Sequence, residues 1–150
     1  MAFRKIGVVG AGTMGNGIAQ AFAQAGFEVV MSDVAQAALD RALATISGSY
    51  DRLIKKEKMT AEQKAAALGR IKTATDLAAL KDADLVIEAA TENLDLKLKI
   101  FKQLDDLAKP EAVIASNTSS ISITKLAAST KRPDKVIGMH FFNPVPLMAL

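Results

Sequence analysis

The run Lys5-Ile6-Gly7-Val8-Val9-Gly10-Ala11-Gly12-Thr13-Met14-Gly15 constrains the fold more than any other part of this chain. Ile6 to Val9 is a short apolar run suited to a buried strand, and Gly10, Gly12 and Gly15 then form G-x-G-x-x-G. Apolar residues come next at helical spacing, at Met14, Ile18, Ala21, Phe22 and Ala25, until Gly26 supplies a stop. Each glycine answers a mechanical need. Gly10 makes the tight turn, Gly12 lets the backbone approach a pyrophosphate, and Gly15 lets helix pack on strand. The N–H groups at the helix start, where Thr13 and Met14 stand, form an anion site with the helix dipole behind them.

A second strand is expected from Phe27 to Ser32, ending in Asp33. Asp33 lies 33 − 15 = 18 residues beyond Gly15, the distance at which an acid meets the adenosine ribose hydroxyls. Val34, Ala35 and Gln36 come next, with no Arg or Lys to receive a 2′-phosphate, which favours NAD over NADP. The charge balance, 19 basic against 16 acidic residues, is too even for a nucleic-acid partner. The chain has no cysteine, so no disulfide framework exists and nothing points to an oxidising compartment. Arg4 and Lys5 before an apolar run superficially resemble a signal peptide, but the run is short and glycine-interrupted. With no transmembrane stretch and no membrane partner expected, a cytoplasmic protein is the default reading. The chain closes on the apolar Pro146-Leu147-Met148-Ala149-Leu150, whereas termini are usually exposed and polar, so a cut within a larger protein is expected.

Between Asp33 and the end, strand and helix patterns alternate. A long helix is expected from Ala35 to Lys56, then a charged tip. A second helix opens at Thr60 in the capping box Thr60-Ala61-Glu62-Gln63 and closes near Gly69. Ile71 to Thr73 reads as a strand, Leu77 to Leu80 as a brief helix, and Asp84 to Ala90 as a fourth strand. A helix from Asp95 to Ala108 buries Leu94, Leu98, Phe101, Leu104 and Leu107 and is stopped by Pro110. Ala112 to Ala115, a helix at Ile123 to Ala128, and Val136 to Met139 complete the pattern. The alternation predicts one α/β domain over residues 1–150, a Rossmann-type doubly wound parallel sheet with an inserted helical hairpin.

In such a sheet the ligand lies beyond the carboxyl ends of the strands. The residues that succeed each strand therefore make a functional census: the glycine loop, then Asp33, then Thr91-Glu92-Asn93, then Ser116-Asn117-Thr118-Ser119-Ser120, then His140 and Asn143. His140 is the only histidine. Oxidising an alcohol needs a base for the hydroxyl proton, and an imidazole titrating near neutrality serves in both directions. Ser119 and Asn143 read either as hydrogen-bond partners of the same oxygen or the cofactor amide, or as turn and cap residues, since Asn-Pro and Ser-rich stretches are common in loops.

Gly-Ala-Gly-Thr-Met-Gly at 10–15, Glu92-Asn93-Leu94 with Lys97, Ser116-Asn117-Thr118-Ser119-Ser120, and His140-Phe141-Phe142-Asn143-Pro144-Val145-Pro146 together resemble the L-3-hydroxyacyl-CoA dehydrogenases, the bacterial 3-hydroxybutyryl-CoA enzymes most of all. The resemblance covers the whole chain in order and spacing. It implies NAD-linked interconversion of (S)-3-hydroxyacyl-CoA and 3-oxoacyl-CoA, as in fatty-acid oxidation or butanoate formation. It further implies that His140 is the general acid/base and that Ser119 orients the substrate oxygen. Asn143 and Asn117 would place substrate or nicotinamide, Asp33 would hold the ribose, and Glu92 and Lys97 would line the cofactor site. Ser49 and Lys56 of the hairpin, with Arg52 between them, would hold coenzyme A. The family continues into a glutamate that pairs with the histidine and a helical domain that forms a homodimer and closes over the acyl chain. Both would lie beyond Leu150, leaving this fragment able to bind NAD but weakly active or inactive. Two other readings stand beside this one: a dehydrogenase of a hydroxy acid without coenzyme A, and a non-enzymatic dinucleotide-binding or structural relative.

Overall fold

Strand and helix alternate along the computed structural model, which describes residues 3–90, 92–118 and 121–141. The strands are β1 (Lys5–Val9), β2 (Glu28–Ser32), β3 (Ile71–Ala74), β4 (Leu85–Glu88), β5 (Val113–Ser116) and β6 (Val136–Gly138). The helices are α1 (Thr13–Gln24), α2 (Gln36–Lys55), α3 (Ala61–Gly69), α4 (Leu94–Leu107) and α5 (Ile123–Ala128). Every pairing is parallel, in the order β3-β2-β1-β4-β5-β6. The order reverses between β1 and β4, which makes that junction the topological switch point.

The four central strands β2, β1, β4 and β5 bury both faces, as the inner strands of a parallel sheet do. Ile6, Val8, Val29, Met31, Leu85 and Ile87 join one core cluster with Ile18 of α1 and Ile46 and Tyr50 of α2. Their neighbours Val9, Val30 and Val86 point the other way, into a second cluster with Phe101 and Leu104 of α4 and Leu126 of α5. Side chains alternate faces along a strand, so one apolar run builds two cores.

The hairpin formed by α2 and α3 docks on α1, where the fully buried Tyr50 donates its hydroxyl to the Gln20 carbonyl at 2.8 Å. Burial pushes this phenol up to about 12, with the Arg70 charge pulling the other way. The expected capping box is present: Thr60 Oγ1 accepts from the Gln63 N–H, and Gln63 Oε1 from the Thr60 N–H. No helix among the described residues is long and apolar enough to cross a membrane.

Three expectations are amended. The brief helix at Leu77–Leu80 is a 3₁₀ turn capped by Asp76. The fourth strand stops at Glu88 rather than Ala90, because the Ala90 N–H turns back onto the Glu88 carboxylate at 2.8 Å. In α4, Phe101 and Leu104 are buried as expected, but Leu94, Leu98 and Leu107 are only half-buried, and Lys97 shares the core at 1% exposure.

Candidate functional site

The last rung of the sheet runs straight across it. Ala74, Ser32, Val9, Glu88, Ser116 and Gly138 pair in sequence from β3 to β6. The residues just past this row are Gly10, Asp33, Ala89, Asn117 and Met139, so the glycine loop, the acid, the β5 loop and the segment of His140 all emerge on one edge.

At the glycine loop, Gly10 adopts a φ of 105°, and its N–H reaches the Ser32 carbonyl at 2.7 Å. A Cβ there would meet the Ala89 carbonyl oxygen at 2.8 Å, so glycine is required both by conformation and by close approach to the β4 loop. At Gly15 a Cβ would stand 1.8 Å from the Gly10 carbonyl oxygen. Gly12 differs: nothing lies within 4 Å of where its Cβ would be. Gly12 is the N-cap of α1, and among the described residues no side chain caps that helix and no acid occupies its first turn. Orphan N–H groups beside open space suit a pyrophosphate.

Asp33 is held against the loop by two backbone donors, the Ala11 N–H on Oδ2 and the Ala35 N–H on Oδ1, both at 2.9 Å. A carboxylate has about four acceptor sites, which leaves capacity for a ribose diol. Beside it Val34 is 93% exposed, an apolar side chain on the same rim that no motif in the sequence marks.

His140 lies just beyond β6, between two ties to the end of β5. The Met139 N–H reaches the Ser116 carbonyl at 2.9 Å, and the Phe141 N–H reaches Asn117 Oδ1 at 2.8 Å. Phe141 is buried against Phe22 of α1, ring centroids 6.4 Å apart. Asn117 therefore fixes the histidine segment, a role its sequence position does not reveal. Glu92, past β4, accepts from Thr118 Oγ1 at 2.9 Å. Lys97 is not on the rim surface; it is buried in an ion pair with Glu88. Ser119 and Asn143 lie outside the described residues.

On the hairpin, Ser49 is half-buried and accepts from Gln20 Nε2 at 2.6 Å, so its hydroxyl is turned toward α1 with its proton left to donate. Arg52 and Lys56 are exposed, Lys56 as the C-cap of α2.

Comparison with known proteins identifies a family. Residues 5–150 match the family model described as 3-hydroxyacyl-CoA dehydrogenase, NAD binding domain. A 3-hydroxybutyryl-CoA dehydrogenase of Bradyrhizobium diazoefficiens is 54% identical over 98% of this chain and 50% of its own length. The corresponding protein of Clostridioides difficile is 49% identical over 97% of this chain and 52% of its own. The crystal structure of (S)-3-hydroxybutyryl-CoA dehydrogenase from Ralstonia eutropha superposes with a TM-score of 0.97 at 62% identity, covering 99% of this chain and 53% of that one. The chain thus spans about half the length of these relatives.

Proposed function

The chain belongs to the 3-hydroxyacyl-CoA dehydrogenase family, through its NAD-binding domain. From that premise we propose that it is the cofactor-binding half of an enzyme interconverting (S)-3-hydroxyacyl-CoA and 3-oxoacyl-CoA in the cytoplasm, with 3-hydroxybutyryl-CoA as the substrate. The observation that carries the proposal is the common rim: the glycine loop, Asp33, the β5 loop and His140 lie just past the final rung of six parallel strands.

NAD, when bound, supplies the hydride acceptor. The N–H groups at the start of α1 and the space over Gly12 receive its pyrophosphate, Asp33 takes the adenosine ribose hydroxyls, and Val34 offers an apolar face to the adenine. Glu92 and Asn117 would line the nicotinamide end of the cofactor site, with Lys97 in its ion pair with Glu88 beneath. His140 takes the hydroxyl proton of the substrate at its imidazole as the neighbouring carbon gives up hydride, and returns it in the reverse direction. Ser119 and Asn143 orient the substrate oxygen. Ser49, Arg52 and Lys56 hold the coenzyme A phosphates, where a hydroxyl and two cations suit such a ligand. A helical second domain supplies the carboxylate partner of the imidazole, the remainder of the acyl pocket and the homodimer contact.

The test is His140→Ala in the two-domain protein, assayed with acetoacetyl-CoA and NADH. Turnover is expected to fall by about 10²-fold or more, with NADH affinity nearly unchanged. Retained turnover removes His140 from the role. Equal activity on free 3-hydroxybutyrate and on its coenzyme A thioester would remove the thioester from the substrate assignment.

A further inference from the structure

Glu88 ends β4 beside the switch point and is 0% exposed, yet it carries a carboxylate where its strand neighbours Val86 and Ile87 are apolar. An ion pair taken out of water gains little over a well-packed apolar pair of the same volume. Space-filling alone therefore does not account for Glu88 and Lys97 at this position. What the polar pair adds is direction.

Oε1 of Glu88 accepts from the Lys97 ammonium on α4 and from Ser116 Oγ on β5, the latter at 2.9 Å. Oε2 accepts from the Ala90 N–H at 2.8 Å, and the Glu88 main-chain carbonyl accepts from the Asn117 N–H at 2.9 Å. Ser116 Oγ passes the connection on by accepting from the Thr118 N–H at 3.2 Å, and Asn117 Oδ1 passes it to Phe141 beside His140. On the other flank, Ala89 and Ala90 are the residues against which Gly10 lies. The buried carboxylate thus ties the loop after β4 to the end of β5 and to α4, and the Glu88 main-chain carbonyl holds Asn117, whose side chain carries the connection on to the segment after β6.

We infer that the buried Glu88–Lys97 pair is a positioning device, setting the β5 loop and the His140 segment in register with the glycine loop. Lys97, at 1% exposure, contributes through its ion pair with Glu88. The inference rests on the dehydrogenase reading above. It predicts a particular split: the adenosine end of the cofactor, held by Gly12 and Asp33, is insensitive to the pair, while the reacting end is sensitive.

The experiment uses the two-domain enzyme carrying Glu88→Gln and Lys97→Met together, so that neither charge is left alone in the core. Relative to the parent, the melting temperature is expected to stay within a few degrees, and the NADH dissociation constant and the KM for acetoacetyl-CoA within about threefold. The kcat is expected to fall about 30-fold, because small displacements of positioned groups cost up to about 10²-fold. A kcat within about threefold of the parent overturns the inference. So does a parallel loss of kcat, NADH affinity and melting temperature, the mark of a merely structural pair. Should the double variant not fold, Ser116→Ala keeps the pair and cuts only its link to the β5 loop. A kcat fall of about fivefold at unchanged NADH affinity supports the inference, and an unchanged kcat overturns it. A parent enzyme that neither binds NADH nor reduces acetoacetyl-CoA overturns the dehydrogenase reading and this inference with it, before any variant is measured.

Discussion

A methyl group added at each glycine of the loop would meet three different surroundings, and each has its own consequence. Gly15→Ala places a Cβ 1.8 Å from a backbone oxygen, and Gly10→Ala combines a positive φ with a carbonyl at 2.8 Å. Both are expected to destabilise the fold by about 4 kcal/mol or more, seen as a loss of cooperative melting. Gly12→Ala meets no atom within 4 Å. It is expected to melt within a few degrees of the parent while weakening NADH at least about tenfold, roughly 1.4 kcal/mol, in a fluorescence titration. Full affinity in that variant would show that the space over Gly12 does not receive pyrophosphate. The glycine roles are legible in the sequence because backbone geometry dictates them locally. The burial of Lys97 is not: a hydropathy pattern counts a lysine as polar, and its partner Glu88 sits on another element, reached only by the fold. Asn117 is hidden for the same reason, since its bond to Phe141 exists only once β5 and β6 lie side by side.

Among the elements, the ends of the strands opposite the glycine loop are joined by side chains that no helical or strand pattern announces. Asp84, just before β4, accepts the N–H groups of Arg4 and Lys5 at 2.7 and 3.0 Å and the ammonium of Lys109 beyond α4. The hydrogen bond from Lys109 is the main cause, with the two backbone donors behind it, holding the carboxyl at about 2 against an ordinary 3.8. Because the folded-state value is depressed, the stabilisation is fully present above about pH 4 and is lost as pH falls toward about 2. Asp84→Asn is expected to cost on the order of 1 kcal/mol near neutrality, once solvent screening is allowed for. In urea titrations across the acid range, its stability should converge with that of the parent only as pH falls to about 2. A gap independent of pH would remove the ionised carboxylate as the cause. The end of α4 carries a related lesson. Pro110 is a stop visible in the sequence, and the helix does end at Leu107, but Arg132 also collects the carbonyls of Asp105, Ala108, Lys109 and Ala112. Burial works to raise the Asp105 carboxyl, yet the Lys131 N–H and the Arg132 guanidinium overcome it and leave it below the usual range. A proline is visible from its neighbours in sequence; a guanidinium arriving from 20 or more residues away is not.

For the molecule as a whole, alternating strand and helix patterns point to a doubly wound parallel sheet, and the six strands bear this out. The order of those strands is not readable from the pattern, since periodicity says which face is buried and nothing about which strand lies next to which. If the proposed cofactor site is complete within these residues, the 150-residue chain alone should bind NADH. It should then be stabilised by about 2.7 kcal/mol at about a hundred times its dissociation constant. A thermal shift titration measures this, and the same chain should reduce acetoacetyl-CoA poorly. A melting temperature indifferent to NADH would place part of the cofactor site elsewhere. The central position of β1 bears also on how the protein is made. Ile6 pairs with Leu85, so once made β1 waits for this neighbour, 85 − 6 = 79 residues behind it. At ribosomal speeds of about 5–20 residues per second, that interval lasts roughly 4 to 16 s. Throughout it the middle of the finished sheet is an uncovered apolar margin on a growing polypeptide, the moment at which a nascent-chain chaperone has most to protect.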